Sequence, residues 1–130
     1  MKTLIVEDDF TARLVLQRSL SRYGECHVAV NGKEAIEAFR MAAESAQGYD
    51  LICMDIELPE MDGQEAVKEI RSLERARGTL SSAGAKIVMT TAVEDIKQVV
   101  RAFQELCDAY LVKPVNLPDL LNHLKAFGLI

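Results

Sequence analysis

Glu7, Asp8 and Asp9 form a run of three carboxylates, and Asp55 supplies a fourth far along the chain. Thr90, Thr91 and Lys113 complete a set of polar residues that each follow a short apolar run. Packed carboxylates repel one another and lose solvation, so such a cluster calls for a cation. All-oxygen ligation favours a hard ion, and a small site with few protein ligands favours Mg2+ over Ca2+. Lys113 brings a second positive charge, and a threonine hydroxyl brings a hydrogen bond for an oxyanion. The combination suits a phosphoryl group, whose transfer is catalysed mainly by charge neutralisation and positioning. A carboxylate such as Asp55 can be the nucleophile, giving an aspartyl phosphate.

Each of these residues also has a plain structural reading. A lone acidic run is an ordinary solvated surface, and a lone Asp is an ordinary helix cap. Thr91 fits the end of any strand, Lys113 any loop, and Tyr110 any core that lets its hydroxyl reach water. Common placement at the ends of apolar segments separates the two readings for the acidic residues, Thr91 and Lys113, while for Tyr110 both stay open. Asp62-Gly63 fits the cap of the helix after Asp55, which leaves Asp55 itself without that duty.

The elements that must position them alternate along the chain. Leu4-Ile5-Val6, Leu51-Ile52-Cys53-Met54, Ile87-Val88-Met89 and Tyr110-Leu111-Val112 are strand-length and apolar on both faces. Cys26 to Val30 is a weaker strand, suited to a sheet edge. Continuous apolar strands belong to a parallel sheet covered by helices on both sides. Helical spacing joins Ala12, Leu16, Leu20 and Tyr23; Val67, Ile70 and Leu73; Ile96, Val99, Val100 and Phe103; and Leu117, Leu120, Leu121, Leu124 and Phe127. Lys33 to Ala46, after an Asn31-Gly32 turn, is rich in helix formers. Five β-α repeats with right-handed crossovers predict a doubly wound α/β sandwich with one five-stranded parallel sheet and five helices. In open parallel sheets the carboxyl ends of the strands form the ligand crevice, where Glu7, Asp8, Asp55, Thr91 and Lys113 fall. Gly78 to Gly84 is expected to be a long loop, and Arg71, Arg75 and Arg77 to be the solvated end of the third helix.

The chain has 130 residues, 49% hydrophobic and 27% charged, which suits one ordinary globular domain over residues 1–130. Its 15 basic and 20 acidic residues leave a net charge of −5, which argues against a nucleic-acid or anionic-membrane surface. No apolar run approaches the ~18 residues of a membrane span, and no signal-peptide pattern is present. Cys26, Cys53 and Cys107 are widely spaced and suit packed thiols in a reducing compartment. A cytoplasmic location is the resulting expectation. No Gly-x-Gly-x-x-Gly or Walker pattern supports nucleotide binding. His27 and His123 lack metal-ligand spacing and read as surface residues.

The chain resembles, over essentially its whole length, the receiver domain of two-component response regulators, with its flavodoxin-like, CheY-like fold and strand order 2-1-3-4-5. The resemblance rests on Leu-Ile-Val-Glu-Asp-Asp at 4–9, Met-Asp-Ile-Glu-Leu-Pro-Glu-Met-Asp-Gly at 54–63, Met-Thr-Thr-Ala at 89–92 and Tyr-Leu-Val-Lys-Pro at 110–114. It implies that Asp55 is the phosphoacceptor. It implies a Mg2+ site from Glu7, Asp8, Asp55 and the backbone carbonyl of Glu57, with Asp8 the direct acidic ligand and Glu7 acting through water. The run also permits Asp8-Asp9 as the acidic pair; a strand beginning at Lys2 or Thr3 places Glu7-Asp8 at its end. Thr91 and Lys113 match the hydroxyl and ammonium that meet the phosphoryl group, and Tyr110 matches the aromatic switch. Pro59 and Gly63 match the shaping residues of the loop after Asp55, and Lys113-Pro114 the family's cis peptide. Glu57 stands where the best-known chemotaxis member has an amide, and Glu57 and Val93 are expected to set the lifetime of the phosphoryl bond.

The implied protein is a single-domain response regulator that catalyses only its own phosphorylation and dephosphorylation. Its phosphodonor is a sensor histidine kinase, a phosphotransfer protein or a small phosphodonor. Its downstream target is a protein that docks on the face made by the fourth helix, fifth strand and fifth helix. A DNA-binding output segment is not expected after the last helical period, which ends close to Ile130. Two rivals remain. A phosphorylation-independent interaction module has no physical need for a like-charge pocket. A small phosphohydrolase would use Asp-x-Asp, whereas Asp55-Ile56-Glu57 has glutamate, and 130 residues leave no cap domain.

Overall fold

A computed structural model describes residues 1–45, 47–79, 84–92, 97 and 106–130. Five parallel strands, β1 (Thr3–Val6), β2 (Cys26–Ala29), β3 (Leu51–Asp55), β4 (Lys86–Thr91) and β5 (Ala109–Val112), form one sheet in the order β2-β1-β3-β4-β5. Helices α1 (Phe10–Leu20), α2 (Gly32–Glu44), α3 (Gly63–Ala76) and a C-terminal helix (Leu117–Ala126) connect or follow them. The helix expected around Ile96, Val99, Val100 and Phe103, the side chain of Val93, and most of the Gly78–Gly84 loop lie outside the described residues. Among the described residues no helix is long and apolar enough to cross a membrane.

Side chains alternate across each strand, and the two faces carry two cores. Leu4, Val6, Ile52, Met54, Ile87 and Met89 meet α2 and α3 through Phe39, Val67 and Ile70. Ile5, Leu51, Cys53, Val88, Ala109 and Leu111 meet α1 and the C-terminal helix through Leu16, Leu20, Leu120 and Leu124. This is why the central strands read as continuous apolar runs. Edge strand β2 is half-buried apart from Ala29, and exposes Val28.

Each described α-helix starts at an Asp or Asn whose side chain accepts a backbone N–H of the first turn. Asp9 accepts from Ala12, Asn31 from Glu34, Asp62 from Glu65 and Asn116 from Asp119, at 2.8–3.1 Å. Asn31-Gly32 is thus a cap and first helical residue rather than a separate turn.

The basic end of α3 departs from the sequence expectation. Arg71 is only 5% exposed, as is Glu74. Arg71 donates to Glu74 at 2.7 Å, to the carbonyls of Ala85 and Leu106, and to Asp108 at 3.0 Å. Arg75 and Arg77 are solvated as expected.

Thr3 is fully buried, and its hydroxyl lacks a hydrogen-bond partner among the described residues. An unpaired buried hydroxyl forfeits its hydration without compensation, so Thr3→Val, nearly the same shape, is expected to stabilise the fold by about 1 kcal/mol. Urea denaturation checks this; a loss of stability would mean that the hydroxyl is satisfied in solution.

Candidate functional site

The strand ends deliver the site. β1 runs directly into Glu7 and Asp8, β3 ends in Asp55, β4 ends in Thr91, and β5 is followed by Lys113. The alternation that points Ile5 and Cys53 toward α1 carries Glu7 and Asp55, two residues further on, to the same side of the sheet. Both carboxylates are 2% exposed, whereas Asp8 is open to solvent. Glu7, Asp8 and Asp55 each offer an oxygen, and these lie within 4.8 Å of one another.

Lys113 Nζ donates to Asp55 Oδ2 at 2.8 Å and lies 3.3 Å from both carboxylate oxygens of Glu7. Asp55 Oδ1 accepts the Glu57 backbone N–H at 3.1 Å. One ammonium therefore meets two of the three clustered carboxylates. Burial, followed by hydrogen bonding to and repulsion from Asp55, pushes the Glu7 carboxyl up to about 7, although Lys113 opposes the shift. Burial also works against the charge on Lys113, but its contacts with Asp55 and Glu7 outweigh this and raise its pKa. Three hard oxygen donors with a charge deficit fit a small divalent cation.

Asp9, the alternative member of the acidic pair, is turned away to cap α1. Thr91 is fully buried at the end of β4, and its hydroxyl donates to the carbonyl of Ala92 at 3.2 Å. Tyr110, on the adjacent strand, is 37% exposed. The Lys113-Pro114 peptide is cis. Thr90 is the direct ladder partner of Asp55.

One contributor escapes the motif reading. Arg13 donates to the carbonyl of Glu7 at 3.1 Å; its place one turn beyond the Asp9 cap is the available signal. Gly63 is needed for close approach: a β-carbon there would collide with the carbonyl oxygen of Asp55. Gly63 N–H also donates to the Ile56 carbonyl at 2.9 Å, which closes the loop after Asp55.

The family model for the response regulator receiver domain matches residues 3–125. The chain is 36% identical over 126 residues to hybrid signal transduction histidine kinase B of Dictyostelium discoideum, covering 92% of this chain and 6% of that protein. It is 32% identical over 120 residues to regulatory protein AtoC of Escherichia coli, covering 92% of this chain and 23% of that one. The chain thus spans under a quarter of either relative. Among solved structures, the receiver domain of Ssk1 from Saccharomyces cerevisiae, crystallised with the histidine phosphotransfer protein Ypd1, is 33% identical with a TM-score of 0.84, covering 98% of this chain and 88% of that one. The receiver domain of the histidine kinase CKI1 from Arabidopsis thaliana, complexed with Mg2+ and BeF3-, is 28% identical with a TM-score of 0.76, covering 98% and 89%.

Proposed function

The chain belongs to the response regulator receiver family of two-component signalling, and from that premise we propose that it is a phosphorylation-activated switch in which Asp55 accepts the phosphoryl group. The observation that carries this reading is the placement of Lys113 at 2.8 Å from a buried Asp55, with Glu7 and Asp8 alongside. An Asp55 oxygen attacks phosphorus, and the bond from phosphorus to the donor's nitrogen or acyl oxygen breaks. Lys113 is already in place to pair with the added negative charge. Glu7, Asp8, Asp55 and the Glu57 carbonyl would hold Mg2+, which would supply further charge neutralisation. The arrangement catalyses its own phosphorylation and dephosphorylation and no reaction on an external substrate.

The switch follows from local charge. The new oxyanion draws the Thr91 hydroxyl away from Ala92, and Tyr110, now partly exposed on the neighbouring strand, turns inward. The altered face spans the segment before β5, β5 itself and the C-terminal helix, and it binds a downstream protein. The phosphodonor is a sensor histidine kinase or a phosphotransfer protein, a reading supported by the Ssk1 complex. Phe10 and Val15, exposed on α1 beside the site, offer that donor apolar surface. The cytoplasm is the matching location.

Intact mass after incubation with acetyl phosphate tests the proposal. One phosphoryl adduct that requires Mg2+ and is absent from Asp55→Ala is the expected result. No adduct with acetyl phosphate or with histidine-kinase donors, despite Mg2+ binding, would leave a phosphorylation-independent interaction module.

A further inference from the structure

The loop from Ile56 to Asp62 carries Glu57, whose N–H meets Asp55, and it is gripped from two sides. Gly63 packs on the backbone of Asp55 at one end. At the other, Gly32 at the start of α2 approaches Met61 so closely that a β-carbon would lie 2.7 Å from the Met61 carbonyl oxygen and 3.0 and 3.1 Å from its Cβ and Cγ. Lys33, the next residue, pairs with Glu60 of the same loop at 3.6 Å. Glu60 has a left-handed backbone, φ 68°, a conformation that its surroundings must enforce.

Local preference does not explain glycine at position 32. Its φ lies outside the left-handed region, and Asn31 already caps the helix. Alanine would be favoured there by up to ~1 kcal/mol on helix propensity. The reason for glycine is the neighbouring loop.

We propose that Gly32, outside the phosphorylation site, is a positioning residue for it: the bare backbone at the start of α2 is the wall against which the loop after Asp55 is seated. The inference rests on the proposed role of Asp55 and the Glu57 carbonyl. A side chain at residue 32 displaces Met61 outward, and the displacement passes through the three intervening residues, Leu58, Pro59 and Glu60, to Glu57. The Glu57 N–H and carbonyl then lose their places relative to Asp55 and the cation. Supporting groups of this kind typically change metal affinity by ~10-fold or more.

The test compares Gly32→Ala with Gly48→Ala, a position where a β-carbon meets nothing within 4 Å. Mg2+ titration, metal-free thermal denaturation and the acetyl phosphate rate at saturating Mg2+ are measured in the full chain. Gly32→Ala is expected to stay folded without metal and to bind Mg2+ roughly tenfold more weakly, while Gly48→Ala matches wild type. Unchanged Mg2+ affinity in folded Gly32→Ala overturns the inference. Should Gly32→Ala not fold, Met61→Ala, which removes the Cγ contact, must weaken Mg2+ binding where Met61→Leu does not; equal affinities overturn it. Loss of the wild-type adduct would instead strike the proposed function, so the two failures are distinguishable.

Discussion

Replacement of Arg71 by methionine is expected to cost about 3–5 kcal/mol of folding stability, the range for breaking a buried ion pair by removal of one partner. Arg71 makes four hydrogen bonds through three nitrogens, tying α3 to the residues before β4 and before β5. Glu74, equally buried, also accepts the Ala85 N–H at 2.8 Å, and Asp108 accepts the Ile87 N–H at 2.8 Å. Without the guanidinium, the Glu74 carboxylate stays buried beside one backbone donor, and two carbonyls lose their partner. Lysine is a poor substitute, because a single ammonium cannot reproduce the planar fork. Adding Glu74→Gln to Arg71→Met should recover part of the loss, since it removes the stranded charge and keeps an acceptor for Ala85. The cluster sits at the amino ends of β4 and β5, opposite the carboxylate cluster of Glu7, Asp8 and Asp55, so Mg2+ affinity should not change. Urea denaturation measures the stability, and a loss below about 1 kcal/mol would show that the cluster is solvated in solution.

The same residue marks where sequence reading stops. Apolar runs announced the strands because a doubly covered sheet needs both faces apolar, and the sheet order follows from the crossover rule and the resemblance. The polar residues at strand ends were legible for the same reason: once β1 and β3 are placed, Glu7 and Asp55 can only fall at their carboxyl ends. Arg71 was read as solvated because charge outweighed spacing, yet Val67, Ile70, Arg71 and Glu74 follow the i, i+3, i+4, i+7 pattern of a buried face. What spacing could not reveal is the partners, which lie 14 to 37 residues away at Ala85, Leu106 and Asp108. Gly32 was hidden for a related reason. A close approach between a helix start and a loop leaves no local signature beyond the glycine itself, and as a turn Asn-Gly already had a sufficient local explanation. The rotamers of Thr91 and Tyr110 depend on packing that one sequence does not encode as a pattern.

Lys113→Met should turn the site's charge imbalance into a pH-dependent loss of stability. In the wild type, burial and Asp55 hold the Glu7 carboxyl near 7 in the folded chain against its ordinary 4.5. Between those values the folded state keeps a proton that the unfolded state releases, so stability falls as pH rises through this window. The full effect is at most about 3 kcal/mol, and it is reached once pH exceeds the folded value. Lys113 contributes no slope there, because its pKa is raised above 10.5; its stabilisation is present throughout the window and is lost only in strong alkali. Removing the ammonium takes away the one influence that opposes the shift on Glu7 and leaves the buried Asp55 without its partner at 2.8 Å. Lys113 is 34% exposed, so water replaces part of what it gave, and a loss of about 1–3 kcal/mol at pH 8 is expected. At pH 5.5 Glu7 is protonated and can donate to Asp55, so the loss there should be much smaller. Denaturation curves at the two pH values, with and without Mg2+, separate the causes. Equal losses at both pH values would assign Lys113 a packing role through its aliphatic stem. A loss confined to high pH, and reduced by Mg2+, would show that the lysine and the cation neutralise the same carboxylates.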